Sequence, residues 1–73
     1  MTLHDSTYQY LKPTHDQMRA MEALRAAAAI YSGVLETLLP DGDDKDHVLR
    51  LHRTTAMWAN VVVTRFPDGT PRP

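Results

Sequence analysis

The sequence predicts an all-α fold: an antiparallel two-helix hairpin behind a short N-terminal arm or helix, assembling into a compact homo-oligomer. Three observations carry this. Two stretches repeat apolar residues at spacings of three and four, the signature of helices with one apolar face. The segment Leu39-Pro40-Asp41-Gly42-Asp43 between them is a turn signal. Finally, 73 residues without a cysteine cannot use disulfides or thiolate metal sites to reinforce a small core. Association with further copies, or a very well packed hairpin, is what remains.

Residues 1–13, MTLHDSTYQYLKP, form the arm. It is too short to fold alone, but Leu3, Tyr8, Tyr10 and Leu11 call for something to pack on. Pro13 disfavours helix at Lys12. The hairpin domain spans residues 14–66. Thr14-His15-Asp16-Gln17 reads as a capping box, in which the Thr14 hydroxyl accepts from the backbone N–H three residues on and Gln17 reaches back. Asp16 in the first turn suits the helix dipole. Met21, Leu24, Ala28, Tyr31, Leu35 and Leu38 then fall on one stripe, widened by Met18, Ile30 and Val34, and Ala26–Ala29 is a strong helix-forming run. Gly33 costs about 1 kcal/mol relative to alanine in a helix interior; it is either simply tolerated or a place where a neighbouring helix comes close. Pro40 ends the helix.

Asp43 or Asp44 caps the second helix in this reading. Val48, Leu51, Thr55, Trp58, Val62 and Phe66 repeat the spacing, with Leu49, Ala59 and Val63 beside them, so Trp58 is expected in the core. Pro67-Asp68-Gly69 ends the helix, and residues 67–73 read as a flexible, frayed C-terminal tail. Helices of about 20 residues run about 30 Å, and a short loop sets them antiparallel. Such a pair buries one seam only. The remaining apolar width, with Trp58 and three tyrosines, requires further partners.

Eight Lys and Arg oppose nine Asp and Glu, for a formal charge of −1. That balance argues against bulk DNA or RNA binding, which needs a strongly basic face; a small anion needs only a few placed arginines. No apolar run approaches the ~20 residues of a membrane span. The first ten residues are polar and aromatic rather than signal-like, so a cytoplasmic location is expected. The acidic loop Asp41, Asp43, Asp44 and Asp46 lacks the EF-hand glycine and terminal glutamate and reads as a solvated, capping turn. His4, His15, His47 and His52 lack metal-ligand spacing. No nucleophile elbow or phosphate loop is present, and the only clustered carboxylates lie in an open loop. Neither catalysis nor a metal or cofactor is expected.

The aromatic and cationic residues carry more information. Tyr8 and Tyr10 lie in the arm; Lys12, Arg19, Arg25, Arg50, Arg53 and Arg65 are spread along the chain. Aromatic faces stack on bases and guanidinium forks pair with phosphate oxygens. On the residues alone the plainer reading is the favoured one: the tyrosines staple the arm to the hairpin, and the arginines solubilise it. Arg25 beside the first seam fits an interfacial salt bridge or a ligand contact.

A pattern of short segments goes further: Thr7-Tyr8, Lys12-Pro13, Leu24-Arg25 with the alanine-rich run, Leu38-Leu39-Pro40 before an acidic turn, and Ala56-Met57-Trp58-Ala59-Asn60 ahead of Arg65. Over about residues 7–66 the chain resembles the small hairpin-domain proteins of tailed phages that include the anti-CBASS cyclic-oligonucleotide sponges. The resemblance implies two long antiparallel helices, assembly into a homohexamer, and binding without cleavage. It places cyclic dinucleotides such as cGAMP between paired subunits and cyclic trinucleotides near three-fold axes. Sequestration in the infected bacterial cell would then block CBASS-type immune signalling. Tyr8 matches the arm tyrosine that stacks on a base, with Tyr10 the alternative. Arg25 matches a basic position that pairs with phosphate, with Lys12 a second candidate. Arg65 matches a late arginine suited to a trinucleotide site. One departure stands out: Ala29 occupies a position, one turn after the arginine, where many relatives carry lysine, which puts ligand preference in question. The alternative is a structural or regulatory hairpin binding another protein through the same stripes.

Overall fold

The computed structural model describes all 73 residues and contains two helices, α1 (His15–Leu38) and α2 (Asp43–Thr64). The capping box forms as the sequence predicts. Gln17 N–H donates to Thr14 Oγ1 at 3.1 Å, and Thr14 N–H donates to Gln17 Oε1 at 2.9 Å. At its other end α1 stops at Leu39, whose N–H still reaches Leu35 O, because Pro40 cannot continue the ladder. No basic residue lies in the last turn. Lys45, from the first turn of α2, supplies the cation instead, donating to Glu36 O at 2.8 Å and to Asp41 Oδ1 at 3.0 Å.

The start of α2 differs from the expectation. Neither Asp43 nor Asp44 caps it; the N-cap is Gly42, at φ 147°, with no side-chain bond. The reversal needs a backbone conformation that only glycine adopts freely, so the aspartates fall just inside the helix. There Asp43, Asp44 and Asp46 favour the positive end of the dipole.

Two cross-links fix the register. Gln17 reaches Val63 O, and His52 Nε2 donates to Ala28 O at 2.9 Å. Eleven residues forward on α1 thus match eleven residues back on α2, and the helices run antiparallel without slipping. Tyr31 meets His52 edge to face, with ring centroids 5.3 Å apart.

The seam is leaner than the sequence suggests. Along α1 the inward residues are Gln17, Met21, Ala28, Ser32 and Leu35, followed by Leu39 at its C-cap; along α2 they include Leu49, His52, Ala56, Ala59 and Val63. Met21, Ala28 and Leu35 fall where expected, but Leu38 lies largely outside. On α2 the expectation fails for the bulkiest residues: Leu51, Trp58 and Val62 are 53%, 63% and 58% exposed, so Trp58 is not a core residue of the chain. Small side chains let two helices approach closely, and one partner covers one stripe; the large residues are left on the other side. Leu35 is the only buried apolar residue. A would-be side chain at Gly33 meets nothing within the chain.

The result is a thin slab of 43 × 29 × 15 Å with a radius of gyration of 15.1 Å, where a compact chain of this length would have about 11 Å. Its accessible surface is 5895 Å², against about 4,600 Å² for a compact monomer of this mass. No helix is long and apolar enough to cross a membrane.

Residues 67–73, expected to fray, fold back on the end of α2. Phe66 and Thr70 close a turn, Arg65 and Pro71 bridge, and Arg72 N–H donates to Thr64 O at 2.8 Å. The reason is the helix end itself, whose last four carbonyls have no helical donors. Here Arg65 N–H takes Val61 O, Arg72 Nε takes Val62 O, Gln17 Nε2 takes Val63 O and Arg72 N–H takes Thr64 O.

Candidate ligand-binding surface

The arm is a series of turns rather than a helix. Thr7 N–H and Oγ1 both donate to His4 O, Gln9 N–H donates to Ser6 O, and His4 N–H donates to Asp68 O at 2.6 Å. Gly69 lies directly against Thr7: it is buried, has φ +92°, and any Cβ there would collide with the Thr7 hydroxyl. Arg65 closes the junction. Its guanidinium donates to Gly69 O at 2.7 Å, to Gln9 O at 2.8 Å and to Ser6 Oγ at 3.3 Å. Arg72 stacks over the Phe66 ring, 4.3 Å from its centroid. The Asp68 carboxylate accepts from Thr70 N–H at 2.9 Å. That bond holds its pKa below the usual aspartate value, with a smaller contribution from nearby His4.

Arg65 and Arg72 therefore staple arm and tail to the hairpin, and the tyrosines do not. Tyr8 and Tyr10 are 91% and 87% exposed and make neither a hydrogen bond nor an aromatic pair, although Tyr31 does. Tyr8 stands at the rim of an open groove of about 660 Å³ whose walls include Leu3, Trp58, Val62, Arg65 and Phe66. Lys12 is exposed beside Pro13. The two residues of this set that the fold brings together are Tyr8 and Arg65; Arg65 has spent most of its donors on the clasp.

Arg25 belongs to a different groove, about 360 Å³, between the helices. Leu24, Arg25 and Ala28 line it from α1; Arg53, Ala56, Met57 and Asn60 line it from α2. Neither guanidinium donates to the protein, and the ion pairs of the molecule lie elsewhere, at Asp16–Arg19 and Asp41–Lys45. The salt bridge considered for Arg25 is thus absent within the chain. Asn60 Oδ1 is buried and unpaired at this groove. Arg53 and Asn60 carry a signal that the sequence offered, since with Met57 they sit at successive one-turn spacings on one face. That face differs from the bulky stripe, which is why the apolar pattern passed over them. Arg72 had no local signal at all.

No group of three or more His, Asp or Glu side chains is arranged to hold a metal ion. Comparison of the chain with protein-family models, with curated proteins and with solved structures found no match.

Proposed function

We propose that the protein is a non-enzymatic sponge: a homo-oligomer, a hexamer on the resemblance, that captures cyclic di- and trinucleotides at subunit interfaces and so keeps an infected bacterium's CBASS-type effector from being activated. The observation that carries this reading is the free state of the recognition groups. Tyr8, Tyr10 and Arg25 have no intramolecular partner, while Arg65 and Arg72 do the stapling that the tyrosines would otherwise be needed for.

Two further points support it. The chain exposes roughly 1,300 Å² more than a compact monomer of its mass, and a standard interface takes about 800 Å² per partner. Also, Tyr8 and Arg25 line separate grooves of one chain, so a site using both is completed by a second copy. A two-fold interface presents each side chain twice, matching a nearly two-fold cyclic dinucleotide. Stacking contributes about 1–3 kcal/mol per base and each charge-assisted bond about 1.5–3 kcal/mol. Arg65, with Nε–H and one further N–H free, is the weaker candidate for a trinucleotide site.

The test is light scattering for mass, then calorimetry of the assembled protein with cyclic di-AMP, 3′,3′-cGAMP and cyclic tri-AMP. Tyr8→Ala and Arg25→Ala are each expected to weaken dinucleotide binding at unchanged mass, with Tyr10→Ala assigning the stacking role between the tyrosines. Heat from none of the three ligands would leave the protein-partner reading, and unchanged affinity in both variants would remove the site from these residues.

A further inference from the structure

We propose that the interhelical groove is the phosphate-binding half of the ligand site, and that Arg53 and Asn60 act there together with Arg25. This assignment rests on the sponge reading and specifies its chemistry.

The arginines of this chain divide sharply by what they do. Arg65 and Arg72 spend their guanidiniums on backbone carbonyls and on the Phe66 face. Arg25, from α1, and Arg53, from α2, line one groove and bond to nothing. No carboxylate lines that groove, in a molecule whose acidic residues outnumber its basic ones. Glu22 lies one turn before Arg25 and makes no ion pair with it. Two like charges on facing helices repel unless an anion sits between them, and paired guanidinium forks suit the non-bridging oxygens of a phosphodiester.

The walls fit the same occupant. Ala28 and Ala56 leave room for a ligand to reach the helix surface, and Met57 supplies an adaptable apolar contact. Asn60 Oδ1 is an acceptor removed from water with no donor in the chain. Leaving such a group unpaired is unfavourable, and natural structures rarely do so without a reason. Because this oxygen is enclosed, a nucleobase N–H beside the phosphate reaches it only as the Asn60 side chain turns into the groove on binding. The ligand class is therefore a nucleotide phosphodiester with an adjacent base N–H, taken by two arginines and a carboxamide.

The experiment is calorimetry on assembled protein with the same three cyclic nucleotides. Arg53→Gln is expected to weaken the best-bound member by about 10–100-fold, Arg53→Lys by less, and Arg50→Gln, outside the groove, not at all. Asn60→Leu is expected to raise the melting temperature while lowering affinity, a combination that a purely structural asparagine would not produce. If the wild type binds and both Arg53→Gln and Asn60→Leu bind equally well at wild-type mass, the groove assignment is overturned and the sponge reading stands. If the wild type binds none of the three, the sponge reading falls and this assignment with it. Should Arg53→Gln fail to assemble, the ¹⁵N side-chain signals of Arg53 in the wild type decide: a shift on adding ligand supports the assignment, and none overturns it.

Discussion

The open end of the hairpin, opposite the turn, and the outer flank of α2 are finished to different degrees. At the open end, arm, tail, the start of α1 and the end of α2 meet, and the last four carbonyls of α2 each find a donor from Arg65, Arg72 or Gln17. Along the flank, Leu51, Trp58 and Val62 stand more than half exposed. The chain thus satisfies the polar groups of this end by itself and leaves the apolar flank uncovered. A hydrogen bond needs one correctly placed partner, which a few residues of tail can supply. Covering a row of bulky side chains needs a whole further layer, which 73 residues cannot supply.

The comparison breaks most visibly at Trp58. Trp58→Lys places a charge on the apolar flank of every subunit, so the mass by light scattering is expected to fall and helicity to drop with it at micromolar concentration. Leu35→Ala, at the one buried apolar position, is expected to cost about 2–5 kcal/mol while the remaining folded protein keeps its mass. Wild-type mass in Trp58→Lys would show that the flank is not where subunits meet. A folded wild-type monomer at micromolar concentration would remove the assembly altogether.

The sequence is legible where the chemistry is local. Thr14 and Gln17 sit within one turn of each other, and Pro40 with Gly42 punctuates the chain, so both helices, the cap and the turn can be read directly. It is less legible where two answers share one pattern. On α2 the line through Leu51, Trp58 and Val62 and the line through Leu49, His52, Ala56 and Val63 both have helical spacing. Bulk favours the first, yet the antiparallel partner covers the second, where Ala56 and Ala59 allow close approach and His52 bonds across to Ala28 O. The tail is illegible for another reason: Arg72 and Gly69 act on groups far away in sequence, and a Pro-Asp-Gly segment looks the same whether it frays or docks. For the candidate site, the exposed tyrosines and Arg25 could be named from the sequence. Their lack of partners, and the grouping of Arg25 with Arg53 and Asn60, required the helices to be placed side by side.

A smaller effect tests the open end. Gly69→Ala meets two obstacles, a φ of +92° and the Thr7 hydroxyl, and strain of this kind costs about 1–3 kcal/mol. The chain is expected to respond by releasing the arm rather than by unfolding. Amide exchange should quicken at Thr7 and Gln9, and the melting temperature at fixed concentration should fall by several degrees, with mass unchanged. Unaltered exchange at those amides would mean that Gly69 does not hold the arm.

The finest probe of the same junction is pH. Thr70 N–H bonds the ionised form of Asp68 and lowers its pKa relative to the unfolded chain. The folded state therefore binds its proton less readily than the unfolded state does. By linkage, the contribution is complete above the ordinary aspartate value and is lost as the pH falls through the lower, folded value. The carboxyl group is exposed, so the effect is local: protection of the Thr70 amide, and of the His4 amide bound to Asp68 O, should decline over that acid window. Asp68→Asn keeps an acceptor for Thr70 but has no proton to take up, so this part of the pH dependence should flatten. Amide exchange followed down the acid limb checks it, and parallel losses in wild type and Asp68→Asn would assign the decline to another group.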